Sequence, residues 1–294
     1  MLDFIKKNYV VIIVCLVFLI SGGIAISNYI KGNKLTSDSY TKINYDECLR
    51  EYNKDYCDSI SNTFIRPKRD TMSTLNYIIS VYFNALQFGV VLLIMIASSN
   101  IFNKYFRSGY LKNSISRIGY EASIKKIYLK TLKCACILPI FMIIMFISSY
   151  IISGNFDYKI GLYTYGFVGF SVEAAKNWPI FMIIYILNFG LNSIFWINIS
   201  IWNLKHNKNS LVSIIVSFIE FFLLELILEI TGTTFFKTTR YLNYFNLLNI
   251  WDFSNLPWIG VLLESLLFIV ITLFMVYKAY HNKEKVMEDR KSTR

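Results

Sequence analysis

Histidine is almost absent from this chain and proline is scarce: 294 residues hold two histidines, four prolines and five cysteines. Both histidines, His206 and His281, stand close to lysines at the ends of apolar runs. No His/Cys/Asp cluster has metal-ligand spacing and no Gly-rich phosphate loop is present, so no metal or cofactor is expected in this chain and ATP hydrolysis is not expected of it alone. A membrane-embedded protease would need a base and nucleophile, or a metal set, inside the apolar runs, and both histidines lie outside them. Four prolines and thirteen glycines also leave no room for a long disordered linker.

Apolar residues are abundant instead. The chain is 55% hydrophobic and 17% aromatic, with a mean hydropathy of +0.45. Repeated apolar runs near the length needed to cross hydrocarbon define an all-α integral membrane protein. Six spans are expected, at 9–29, 75–102, 134–153, 178–204, 211–231 and 258–277, within one transmembrane domain covering 1–294. Trp178, Trp202, Trp251 and Trp258 fall at or near span ends, where amphipathic rings favour the interface. The first run follows Lys6 and Lys7 as a signal peptide would, but no A-x-A site follows, so an uncleaved anchor is expected.

The net charge of +11 sits between the apolar runs, which suits membrane orientation and not a nucleic-acid face. Eight basic residues between Lys104 and Lys133, the pair Lys205 and Lys208, and the cluster from Lys278 onward share one side. The positive-inside rule then puts both termini in the cytoplasm, in a multi-pass chain. The segment 31–73 becomes an outer loop. Its Cys48 and Cys57 are expected to form a disulfide; the alternative is two free thiols in a loop.

The cytoplasmic segment 104–133, "KYFRSGYLKNSISRIGYEASIKKIYLKTLK", is too long for a turn. Leu111, Ile115 and Ile118 make an apolar stripe at i, i+4, i+7, and Gly119 interrupts it. A short helix across the cytoplasmic face, a bend and a helix returning to the membrane are expected. One reading is an interfacial helix held by bases on anionic lipid. The other is a docking element for a cytoplasmic protein.

In this segment Gly109, Leu111, Lys112, Asn113, Gly119 and the bases Lys125, Lys126 and Lys130 resemble the first cytoplasmic loop of the permease subunits of ABC-2 type exporters. The sequence departs from that pattern at Tyr105, where many members carry Glu, and at Ala122, where many carry Arg. The resemblance implies that 104–133 is the coupling segment. Gly109, Leu111, Lys112, Asn113, Ile115, Arg117, Ile118 and Gly119 would meet a cytoplasmic ATPase subunit, which itself binds ATP and Mg. It also implies a second permease, identical or paralogous, and export across a bacterial cell membrane. An Asn-, Lys- and Ile-rich composition fits a bacterium with an AT-rich genome, where such exporters often move amphipathic, antimicrobial or toxin peptides. The aromatic segment between the last two spans, "TGTTFFKTTRYLNYFNLLNIWDFSNLP", is expected to form short outer interfacial or re-entrant helices, or an ordinary interfacial loop.

The stretch "SFIEFFLLELILEITG" places Glu220, Glu225 and Glu229 inside the fifth span. A carboxylate at a span centre costs roughly 2.5–3.5 kcal/mol. Glu225 and Glu229 are about 40° apart on a helix, and Glu264 of the sixth span lies at a depth similar to Glu225. All four are candidate pathway residues. Glu225 and Glu264 are the expected lining for a cationic or amphipathic cargo; Glu229 lies nearest water, and Glu220 reads as an acid held in a helix interface. A transporter or channel that needs no ATPase and couples to ions through these acids is the alternative.

Overall fold

The computed structural model describes residues 2–59, 71–79, 87–107, 109–154, 156, 178–207, 209–236 and 258–282. Ten α-helices and one 3₁₀ turn account for the elements among them, and no strand occurs there. In chain order they are α1 Leu2–Glu51, α2 Lys54–Ser59, α3 Thr71–Ile78, α4 Gln87–Arg107, α5 Gly109–Ile118, α6 Tyr120–Leu132, a 3₁₀ turn Lys133–Cys136, α7 Ile137–Ser153, α8 Trp178–His206, α9 Ser210–Phe236 and α10 Trp258–Tyr280.

Among the described residues four helical stretches are long and apolar enough to cross a membrane: Tyr9–Gly32, Gly89–Phe106, Tyr120–Ser153 and Trp178–His206. Ser210–Leu224 and Ser265–Tyr280 are shorter apolar helices among the described residues. The chain is thus an all-α membrane protein. Of the expected second span, 75–102, α3 holds the start and α4 the main part, while 80–86 lies outside the described residues. The aromatic segment expected to form outer interfacial helices lies mostly outside them as well, at 237–257; α9 runs on to Phe236.

The first helix departs most from expectation. The sequence reading ends a span near Tyr29 and starts a loop at Lys31, but α1 continues unbroken for 50 residues. Loss of hydrophobicity marks where lipid ends, not where a helix must end. The first proline is Pro67, so no residue before it lacks the backbone N–H the helix requires.

Within α1 the two faces separate by helical spacing. Val14, Phe18, Ala25 and Tyr29 are buried against the protein, while Ile13, Leu16, Val17, Ile20 and Ile24 are exposed as a lipid-facing stripe. Phe18 meets Phe141 of α7 with ring centroids 5.3 Å apart. Gly22 sets the approach of these two helices: a Cβ there would lie 3.0 Å from Phe141 Cε2 and 3.3 Å from Met145 Sδ. Close approach of backbones over small residues is a main source of helix association in lipid. Toward the same end, Tyr29 and Thr74 hydroxyls lie 3.2 Å apart, and Thr71 and Ser153 hydroxyls 2.7 Å. These tie α1, α3 and α7 together.

The core is organised around α8, which packs on α4, α7, α9 and α10. Its residues from Phe195 to Ile201 are all buried, with no outward face. A helix buried on every side is the interior strut of a bundle. Ser99 of α4 and Ser200 of α8 touch hydroxyl to hydroxyl, which again brings two backbones close over small residues.

Gly22→Val forces Phe141 and Met145 aside and should lower stability by about 1–3 kcal/mol, the usual cost of overpacking. Gly23→Val is the matched control: nothing lies within 4 Å of a Cβ there. Thermal unfolding of the detergent-purified protein should show a loss for Gly22→Val alone; equal melting of the two variants would remove the close approach as a constraint.

Candidate functional site

At one end of the bundle α5 and α6 form an elbow. Gly119 joins them with φ of 80°, a left-handed conformation that strains any residue carrying a Cβ. The elbow is closed by Ser123, whose Oγ lies 2.6 Å from the Gly119 carbonyl oxygen and 2.9 Å from Ser114 Oγ. Lys130 of α6 sits over the rings of Tyr105 and Tyr110, at 4.3 Å and 4.8 Å from their centroids. This cation–π clasp holds α4, α5 and α6 together.

The expected docking stripe divides here. Leu111 is fully buried within this chain, and Ile115 packs against the same core. These two residues therefore seat α5 on its own protein and are not available as a partner's apolar contact. Ile118 is 45% exposed, and Lys112, Asn113, Arg117 and Gly119 are exposed beside it. The outward face of α5 is basic and polar with one large apolar residue. The backbone of Gly109 begins α5.

Two hydrogen-bonded paths run from the elbow into the bundle. Tyr128 on α6 donates through its hydroxyl to Asn198 Oδ1 at 2.7 Å. Asn198 in turn donates through Nδ2 to Thr272 Oγ1 on α10 at 3.1 Å. Tyr120, the first residue of α6, donates to the Tyr280 carbonyl at 2.7 Å, and Tyr280 donates to the Ile201 carbonyl on α8 at 2.9 Å. Tyr280 is also wedged between Phe102 and Phe106 of α4. Motion of α6 is thus tied through side chains to α4, α8 and α10.

The asparagines of α8 continue this polar seam through the bundle. Asn188, Asn192, Asn198 and Asn203 are all buried. Asn188 Oδ1 accepts from Ser265 Oγ of α10 at 2.5 Å. Asn203 donates through Nδ2 to the Glu220 carboxylate of α9 at 2.5 Å. Three buried polar atoms have no hydrogen-bond partner among the described residues: Asn192 Oδ1, Trp196 Nε1 and Ser213 Oγ. Such groups cost free energy in a low-dielectric interior.

These asparagines were not among the residues the sequence singled out. The signal was there: four asparagines in one apolar run, Asn188 and Asn192 one helical turn apart, each expensive in lipid unless it faces a neighbour. The carboxylates drew attention because charge costs more. Of those, Glu220 is half-buried and engaged by Asn203. Glu225 and Glu229 lie on α9 and Glu264 on α10; their side chains lie outside the described residues. Among the described residues no group of three His, Cys, Asp or Glu could hold a metal ion. What the described seam offers is neutral amides and hydroxyls that exchange hydrogen bonds between helices.

Asn203→Leu leaves the Glu220 carboxylate without its amide and should cost about 1–3 kcal/mol. Glu220→Leu added to it should return much of that loss, because the stranded charge is then gone. Unfolding midpoints for the two single variants and the double variant provide the cycle; strict additivity would show that the pair is not coupled.

No protein-family model, no curated protein and no solved structure matches this chain.

Proposed function

We propose that the chain is the membrane subunit of an ABC-2 type exporter. Six crossing helices would form the pathway with a second permease copy or paralogue, and a separate cytoplasmic ATPase would drive it. The observation that carries this reading is the elbow. An amphipathic helix, α5, is seated by Leu111 and Ile115 on its own bundle, presents Lys112, Arg117 and Ile118 outward, and is joined at Gly119 to α6, which Tyr128–Asn198–Thr272 links to the core helices. A partner that pushes on α5 would move α6, and α6 would pull on α8 and α10.

In this reading the ATPase supplies the chemistry and this chain supplies the path. The basic side of the protein, with α5 and both termini, faces the cytoplasm of a bacterial cell. The cargo class is an amphipathic, antimicrobial or toxin peptide. The acids Glu225 and Glu264, at similar depth on α9 and α10, would line the outer half of the pathway and favour a cationic cargo.

Charge reversal at Lys112 and Arg117 should abolish co-purification of a stoichiometric ATPase while leaving the membrane subunit folded, because both side chains are exposed. Full retention of the ATPase and of transport would reduce α5 to a lipid-surface helix. Leu111→Asp is a separate case: it should unfold the elbow itself, since that side chain has no exposure.

Replacing Glu225 and Glu264 with Gln keeps shape and deletes charge. In reconstituted membranes basal ATPase activity should persist and stimulation by a cationic cargo should fall. Unchanged stimulation in the double variant would remove these acids from the pathway.

A further inference from the structure

Most strongly exposed apolar side chains of this protein lie on its apolar helices, where lipid covers them. Leu49, Tyr52 and Tyr56 do not. They are 41%, 55% and 49% exposed, and from Gly32, where the apolar stretch of α1 ends, to Leu49 the helix advances roughly 25 Å along its axis. Large apolar groups held in water at the tip of a long helix call for an occupant.

The tip is a built structure. A disulfide joins Cys48 of α1 to Cys57 of α2, with Cα atoms 6.0 Å apart. Asn53 caps α2 by accepting the Tyr56 backbone N–H at 2.9 Å. The Tyr45 hydroxyl donates to Asp58 across the hairpin, and this bond raises the Tyr45 pKa above its ordinary value. Tyr52 and Tyr56 are held side by side, ring centroids 5.0 Å apart. On α1 the residues Tyr45, Cys48 and Leu49 share one face by helical spacing, and Tyr52, just past the helix end, continues it with its N–H on the Cys48 carbonyl at 2.8 Å, so Leu49 adjoins the tyrosine pair.

Charge at the tip opposes that of the chain. Asp46, Glu47, Glu51 and Asp58 are exposed there against Arg50 and Lys54, in a protein of net charge +11. By helical spacing Asp46 lies on one flank of the aromatic face and Glu51 on the other, while Glu47 lies further round, toward the opposite side. A second copy of the same acidic tip is a poor match; a cationic partner is a good one.

We propose that the disulfide-closed tip of α1 and α2 is a docking surface for a cationic amphipathic peptide. Leu49, Tyr52 and Tyr56 take its apolar face, the tyrosine rings also receive Lys or Arg side chains, and the flanking carboxylates pair with further bases. The rigid hairpin fixes the anchors before binding, which lowers the entropic cost of association. This surface rests on the tip residues alone and does not depend on an ATPase partner.

The test uses the full chain in nanodiscs of zwitterionic phosphatidylcholine, with empty discs as background. The probe is a fluorescent helical peptide of Leu and Lys, and a Leu/Glu peptide of the same pattern is its counterpart. Saturable binding of the Leu/Lys peptide above background is expected, with none for the Leu/Glu peptide. Tyr52→Ala with Tyr56→Ala should weaken it by about tenfold, in the range of interface anchor residues. Asp46→Asn with Glu51→Gln should weaken it about fivefold at low salt and less at high salt. Both pairs are exposed, and oxidised mobility on non-reducing gels verifies the hairpin in each variant. Binding no greater than to empty discs, or equal binding by parent and both variants, would overturn the proposal. A fall in particle mass from dimer to monomer in the tyrosine variant would overturn it too, by assigning the patch to a second copy.

Discussion

A polar side chain buried among helices in a membrane has no bulk water to bond with, so it must find a neighbour or pay the desolvation cost. That constraint organises this protein. The helix α8 is enclosed on all sides through its middle turns, yet carries four buried asparagines. Asn188 is met by Ser265, Asn198 by both Tyr128 and Thr272, and Asn203 by Glu220. These bonds fix how α6, α9 and α10 sit around α8 more specifically than apolar packing could, because apolar contacts tolerate sliding and hydrogen bonds do not. Asn192, Trp196 and Ser213, each with an atom lacking a partner among the described residues, mark where the same constraint is least well met.

The two ends of the bundle use exposure differently. At the elbow the apolar stripe of α5 is mostly spent on seating the helix, and what it presents outward is basic. At the other end the tip of α1 and α2 is cross-linked, capped and acidic, and it keeps its aromatic residues in water. Helix α1 joins the two sides, passing its buried face along α7 through the close approach at Gly22.

Much of this is legible in the sequence. The apolar runs located the helices because a membrane demands long apolar stretches, and Gly119 marked the elbow because it broke a helical stripe. Other features were hidden for physical reasons. The polar continuation of α1 to Glu51 carries no breaker and no hydrophobic period, so nothing in its composition separates helix from loop. The stripe Leu111, Ile115, Ile118 shows that α5 has an apolar side but not what covers it. Only packing reveals that Leu111 faces inward and Ile118 outward. The carboxylates of α9 stand out in sequence by their charge, whereas neutral asparagines in α8 do not, although more of the described core depends on them.

The sequence by itself determined that this is an all-α membrane protein, because hydropathy and length are local properties that a bilayer reads directly. It also put two cysteines within reach of each other, nine residues apart. Tertiary structure decided the rest: which face of each amphipathic helix is buried, which polar groups find each other across 70 or more residues of chain, as Tyr128 and Asn198 do, and that the tyrosines of the tip stand together in water. Those outcomes depend on distances between segments remote in sequence, and no local pattern of residues encodes a distance between helices.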